Sequence, residues 1–230
     1  LFRSRCGKYL VYEVDTEYYV NDAGKQMDLL GLSVYLEACK NLLQKEVEFP
    51  DDYYRGEYIE EIAKNMYESD AKDLLIKKDL KAIANIAKDI VLELITKDLA
   101  KLDITFNSFM SENSLYTKWN DTENVLSKHS YKKEDKLWLK TSDFSDEKDR
   151  VIVREDGVPT YLAGDILYHK NKFERNYDKY INIWGADHHG YINRVKSAIH
   201  FLGFNETKLE IILSQMVALL KNGEPYKMSK

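Results

Sequence analysis

The chain has few of the residues that staple, kink or bury a polypeptide in unusual ways. Two cysteines, Cys6 and Cys39, stand among 230 residues. They form no disulfide framework, so a reducing cytosol is the expected compartment. Three prolines and ten glycines punctuate the sequence, with no low-complexity linker or internal repeat. No apolar run approaches the ~20 residues of a membrane-spanning helix. The opening Leu1-Phe2-Arg3-Ser4-Arg5-Cys6 lacks the apolar core of a secretory signal. An excess of basic residues is also missing: 34 Lys+Arg face 39 Asp+Glu, a net charge of −5. That balance argues against a nucleic-acid partner, because phosphates favour basic surfaces.

What is present suits a soluble globular protein. Hydrophobic residues make up 44% and charged residues 32%, which excludes intrinsic disorder as a description of the whole. At roughly 150 residues per domain, the length fits one large domain or one domain carrying an insertion.

Periodicity then divides the chain. Residues 9–14 and 17–20 are β-branched and aromatic and read as strand. Asn21-Asp22-Ala23-Gly24 follows as a turn, and a helical pattern runs from Lys25 to about Gln44. In the next stretch Tyr58, Ile59, Ile62, Ala63, Met66 and Tyr67 recur at helical spacing, as do Leu80, Ile83, Ala87, Ile90, Leu94 and Ile95. Charged residues fill the other positions, so both are amphipathic helices. Strand patterns return at 137–140 and 151–154, with Asp156-Gly157 as a turn. Residues 180–184 read as a buried strand, 192–201 as a helix ending near Gly203, 209–213 as a strand and Asn222-Gly223 as a tight turn. Strands alternating with helices point to an α/β protein with a parallel sheet. The expected division is 1–44 as the first part of a catalytic core, 45–135 as a mostly helical insertion and 136–230 as the second part.

Ligands in open α/β sheets bind beyond the carboxyl ends of strands, and three polar clusters lie there. Asn21-Asp22-Ala23-Gly24 is the first; the same residues also suit a helix-capping turn. Gly185-Ala186-Asp187-His188-His189-Gly190 is the second. Its glycines admit a ligand to the backbone, the following helix N-terminus favours anions, and Asp187 can accept hydrogen bonds from ribose hydroxyls. A polar turn and a metal site are the alternatives. Against the metal, neighbouring side chains diverge and no further Cys/His cluster completes a ligand set, so none is expected. The third cluster, Lys227-Met228-Ser229-Lys230, can place positive charge on a leaving pyrophosphate, or simply be solvated surface. A fourth, dispersed set is acidic. Tyr161 and Asp165, four apart, share a helix face, and Glu112 can join them. Inward carboxylates bind a cation, and a guanidinium matches them best; local capping or pairing by Asp165 is the other possibility.

Taken in order, these pieces resemble the catalytic domain of bacterial arginyl-tRNA synthetases, a family of class I aminoacyl-tRNA synthetases. The resemblance is carried by 17–26, 149–154, 160–165, 183–191 and 227–230, and runs over essentially the whole chain. It implies a Rossmann-like α/β core that joins L-arginine to ATP as an adenylate, releases pyrophosphate and passes arginine to its tRNA. By the family pattern Glu112, Tyr161 and Asp165 line the arginine pocket, with Asp187 also approaching the amino acid. Gly185, Asp187 and His188 lie against the adenosine, and Met216 and Val217 meet the adenine. Lys227, Ser229 and Lys230 hold the phosphates, the two lysines acting catalytically. ATP with Mg²⁺ is expected as substrate, with no prosthetic group; a cytoplasmic monomer without a membrane partner is expected too.

The sequence also departs from the family. The His-x-Gly-His signature, which in the family precedes the strand ending at Asn21, does not occur, and the family's anticodon-binding domain, which comes after the Lys-Met-Ser-Lys loop, is not among these 230 residues. The expectation is a catalytic domain cut at both ends, inactive by itself and a poor holder of tRNA. Another class I synthetase or nucleotidylyltransferase, and a non-catalytic nucleotide-binding module, are the alternatives.

Overall fold

A parallel strand pair marks the first of two units into which the described residues divide, 2–111 with Tyr226, and Glu112–Pro225. The structure, a computed structural model, describes residues 2–215 and 217–226. In the first unit β1 (Glu17–Val20) and β2 (Ser108–Ser111) pair from Glu17 opposite Ser108 to Val20 opposite Ser111. The strand expected at 9–14 does not form. Tyr9 closes α1 (Phe2–Tyr9), and Val11 sits at φ 65, which interrupts any extended run. Leu10, Val11 and Tyr12 are exposed. β-branched and aromatic residues make a strand only where a partner and a covered face exist.

Four helices connect the two strands: α2 (Lys25–Asn41), α3 (Glu57–Tyr67), α4 (Lys72–Lys77) and α5 (Leu80–Lys101). Parallel strands require such a crossover. The stripe legible in the sequence of α3 is the one it buries: Ile59, Ile62, Ala63 and Met66 pack with Val34 and Ala38 of α2, Leu75 of α4 and Ile83 of α5. Thus α2, read as catalytic core, shares one hydrophobic core with helices read as insertion. α5 buries Ile83, Ala84 and Ala87 near its start, while Leu94 further along is exposed. Gly31 permits α2 to approach α5, because a β-carbon there would collide with the Leu80 carbonyl oxygen. Asp79 caps α5 by accepting from the Ala82 N–H at 3.0 Å.

In the second unit α6 (Glu112–Leu115) and α7 (Trp119–Leu126) precede an antiparallel sheet of β3 (Ser130–Lys133), β4 (Lys136–Leu139) and β5 (Arg150–Val153), in that order. α8 (Tyr161–Phe173) follows. β6 (Tyr180–Gly185), a 3₁₀ turn over Ala186–Tyr191, α9 (Ile192–Phe201) and β7 (Leu209–Ser214) then form a βαβ unit. β6 and β7 are parallel, with Tyr180 opposite Leu209 and Gly185 opposite Ser214. Phe173, Tyr180, Val195, Ile199 and Leu209 form the core here. β6 differs from the fully buried strand expected. Tyr180 and Asn182 are buried, whereas Ile181 is 43% and Ile183 61% exposed. Side chains alternate along a strand, and only one face of this one is covered within the unit. β8 (Leu219–Lys221) and β9 (Glu224–Tyr226) flank Asn222 and Gly223, both at positive φ, as a two-residue hairpin turn requires. Among the described residues no helix is long and apolar enough to cross a membrane.

Candidate functional site

The acidic set assembles in the second unit. α8 carries Tyr161 and Asp165 one turn apart, so both project from the same side. Tyr161 is 72% exposed, whereas Asp165 is half-buried. Glu112, the first residue of α6, is only 5% exposed. A carboxylate shielded from water needs donors, and the Tyr116 hydroxyl donates to Glu112 Oε1 at 3.1 Å. Gly164 lets α8 come this close: a β-carbon there would lie 2.6 Å from Glu112 Oε1 and 2.9 Å from the Tyr116 hydroxyl.

The electrostatics follow from this packing. Burial first, and the negative charge of Glu112 second, push the Asp165 carboxyl up to about 7 from its ordinary 3.8. The Tyr116 phenol is pushed above its ordinary 10, by burial and by Glu112, with smaller contributions from Asp165 and Tyr161. Tyr191, closing the 3₁₀ turn, is raised by burial and by Asp165, with Arg194 opposing. The acidic set and the Asp187 turn therefore meet electrostatically at Tyr191. Burial and Glu112 both disfavour the ionised Asp165, and a cation beside it would relieve that.

The glycine-flanked cluster caps β6. A β-carbon at Gly185 would collide with Asp187 Oδ1, so the carboxylate folds back over the backbone that glycine leaves open. Asp187 and His188 are exposed and paired, Oδ2 to Nε2 at 3.7 Å. The His188 ring lies 6.2 Å from Trp184 and 6.3 Å from Tyr191. His189 and Gly190 are exposed. Among the described residues no group of three or more His, Cys, Asp or Glu is placed to hold a metal ion.

Asn21-Asp22-Ala23-Gly24 lies in the first unit, with Gly24 as the N-cap of α2. Asp22, 7% exposed, accepts from Ser111 Oγ at 2.7 Å and faces Lys88 Nζ at 3.7 Å. Val217 is 80% exposed. Met216, Lys227, Ser229 and Lys230 lie outside the described residues. Two residues at the site escaped sequence reasoning, Tyr116 and Tyr191. A signal for Tyr116 existed: it stands four after Glu112, the spacing that singled out Tyr161 and Asp165.

No family model matches the chain. The arginine–tRNA ligase of Aliarcobacter butzleri is 57% identical over 230 residues, covering 99% of this chain and 44% of that protein. The chain is homologous to a segment of arginyl-tRNA synthetases. A second relative among these enzymes, the arginine–tRNA ligase of a Nitratiruptor species, is 56% identical with the same coverage. A Campylobacter jejuni crystal structure, assigned as an arginyl-tRNA synthetase, superposes with a TM-score of 0.91 at 51% identity, over 98% of this chain and 51% of that one. The chain thus spans about half the length of the arginyl-tRNA synthetases it matches, and its α/β architecture is that of a class I synthetase core.

Proposed function

We propose that the chain supplies the amino-acid and nucleotide pockets of an arginine–tRNA ligase, which activates L-arginine with ATP and transfers it to tRNA. The acidic pair carries this reading: Asp165 on α8 and Glu112 on α6, drawn together across Gly164 and steadied by Tyr116. A guanidinium bears a permanent charge and a planar fork of donors suited to carboxylates, whereas the lysine ammonium is a compact point charge. Tyr161, exposed one turn before Asp165 on α8, would border the bound arginine. Gly185, Asp187 and His188 receive the adenosine, Asp187 also meeting the amino acid; Met216 and Val217 meet the adenine.

In the activation step an arginine carboxylate oxygen bonds to the α-phosphorus. The bond from that phosphorus to the bridging oxygen breaks, and pyrophosphate leaves with the electron pair. Lys227 and Lys230, with Ser229, stabilise the charge that develops on the phosphates. Mg²⁺ arrives with ATP as part of the substrate, held largely by phosphate oxygens and water. In this reading 45–135 is an insertion in the catalytic core, and the enzyme works as a cytoplasmic monomer.

Calorimetric titration with L-arginine, L-lysine and L-citrulline tests the proposal. Citrulline keeps the shape of arginine but has a neutral urea in place of the guanidinium. Loss of charged hydrogen bonds should weaken citrulline at least about tenfold. Equal binding of citrulline and arginine would remove the acidic pair from recognition.

A further inference from the structure

His169 takes no part in the contacts above, yet it is 1% exposed and lies one turn beyond Asp165 on α8. Its Nδ1 is 2.7 Å from the Asp165 carbonyl oxygen. Its Nε2 is 2.8 Å from Asn182 Nδ2, and Asn182 Oδ1 accepts from Lys172 Nζ at 2.5 Å. The chemistry of the partners fixes every role. A carbonyl only accepts, so Nδ1 carries the hydrogen; an amide nitrogen only donates, so Nε2 is bare. Lysine only donates, so the Asn182 oxygen faces Lys172 and its nitrogen faces the ring. The relay therefore runs in one direction, from Lys172 through Asn182 and His169 to the Asp165 carbonyl, with a neutral imidazole at its centre. Burial, reinforced by the Lys172 charge and opposed by the bond to the Asp165 carbonyl, pushes the ring down to about 3. Asn182 is a buried residue of β6, three positions before Gly185. The relay thus ties the helix that bears Asp165 to the strand that ends at the Asp187 turn.

We propose that His169 is a positioning residue: bonded to Asn182, it sets α8 against β6, so that the Asp165 carboxylate and the Gly185–Asp187 segment keep one fixed separation around a bound arginine. This inference rests on the arginine-binding reading above.

Asn182→Asp is the informative change. It keeps the shape but turns the donor facing Nε2 into an acceptor, so the ring needs a second proton to hold both bonds. In the unaltered chain, nitrogen NMR of His169 should show a ring protonated at Nδ1 alone, with no titration between pH 5 and 8. In Asn182→Asp the ring should carry both protons or titrate within that range, and arginine should bind about tenfold more weakly, the loss of one buried hydrogen bond. His169→Phe and Asn182→Leu should each weaken arginine binding, and the double variant no more than the worse single, because both cut one relay. An unaltered ring protonated at Nε2 or titrating near 6.5 would overturn the proposal. So would additive effects in the double variant, or unchanged arginine affinity in Asn182→Asp. If the unaltered chain binds no arginine, the ligase reading fails, and the protonation of the ring then upholds or overturns the relay by itself.

Discussion

Replacing Asp165 with Asn probes the centre of the site, because burial and Glu112 push this carboxyl up to about 7. A bound guanidinium adds a permanent positive charge beside it and favours the ionised form. On the proposed reading, arginine binding should expel the proton that Asp165 holds: roughly nine-tenths of a proton at pH 6, half at pH 7 and a tenth at pH 8. Affinity should climb about tenfold per pH unit below 7 and level off above it. The other titratable groups coupled to Asp165 are Glu112, Tyr116 and Tyr191, and both phenols are shifted upward, away from this range. Asp165→Asn loses a charge-assisted hydrogen bond of about 1.5–3 kcal/mol, so the arginine Kd should rise roughly ten- to a hundredfold. Proton release and pH dependence should disappear together. Calorimetry in two buffers of different ionisation enthalpy measures both. Flat affinity from pH 6 to 8, proton uptake on binding, or a pH slope that survives Asp165→Asn would refute the reasoning.

Three further outcomes concern stability. The native chain holds the Asp165 proton between about pH 4 and 7, where the unfolded chain releases it, so this group makes stability fall as pH rises through that window. His169, held down to about 3, does the reverse: the unfolded chain gains a proton below about 6.5, and stability falls as pH drops. The two slopes oppose, so thermal melting of Asp165→Asn should expose an acid-side loss between pH 6.5 and 4 that the unaltered chain masks; identical pH profiles would contradict it. Tyr116→Phe leaves Glu112 buried with one donor fewer and should cost about 1–3 kcal/mol in urea unfolding. Gly31→Ala drives a methyl into the Leu80 carbonyl and should cost about 1–3 kcal/mol, read as a lower urea midpoint; an unchanged midpoint would mean that α2 and α5 separate freely.

Helices with a strong stripe were legible because their burial repeats every turn. Ile59, Ile62 and Met66 of α3 are buried as their spacing demands. Residues 9–14 have strand composition without forming a strand, because β-propensity reports only suitability for a sheet, and among the described residues no neighbouring strand meets them. Ile181 and Ile183 look like core in any listing of apolar residues, yet they lie on the uncovered face of β6. Asp22 has the composition of a helix cap, and only the folded chain brings it Ser111, 89 positions away, as a hydrogen-bond donor. At the site, Asp165 and Tyr161 share a face by local helical geometry alone, whereas the approach of Glu112 depends on Gly164, 52 positions along the chain.

The sequence by itself determined the residue types and their local periods: which helices bury which stripe, where glycines open the backbone, and which motifs match arginyl-tRNA synthetases. Only the tertiary structure decided that Asp165 holds its proton near neutrality and that His169 is neutral with its hydrogen on Nδ1. The reason is physical. Periodicity depends on bonded neighbours a turn apart, whereas ionisation and tautomer depend on which distant groups exclude water and face one another once the chain has folded.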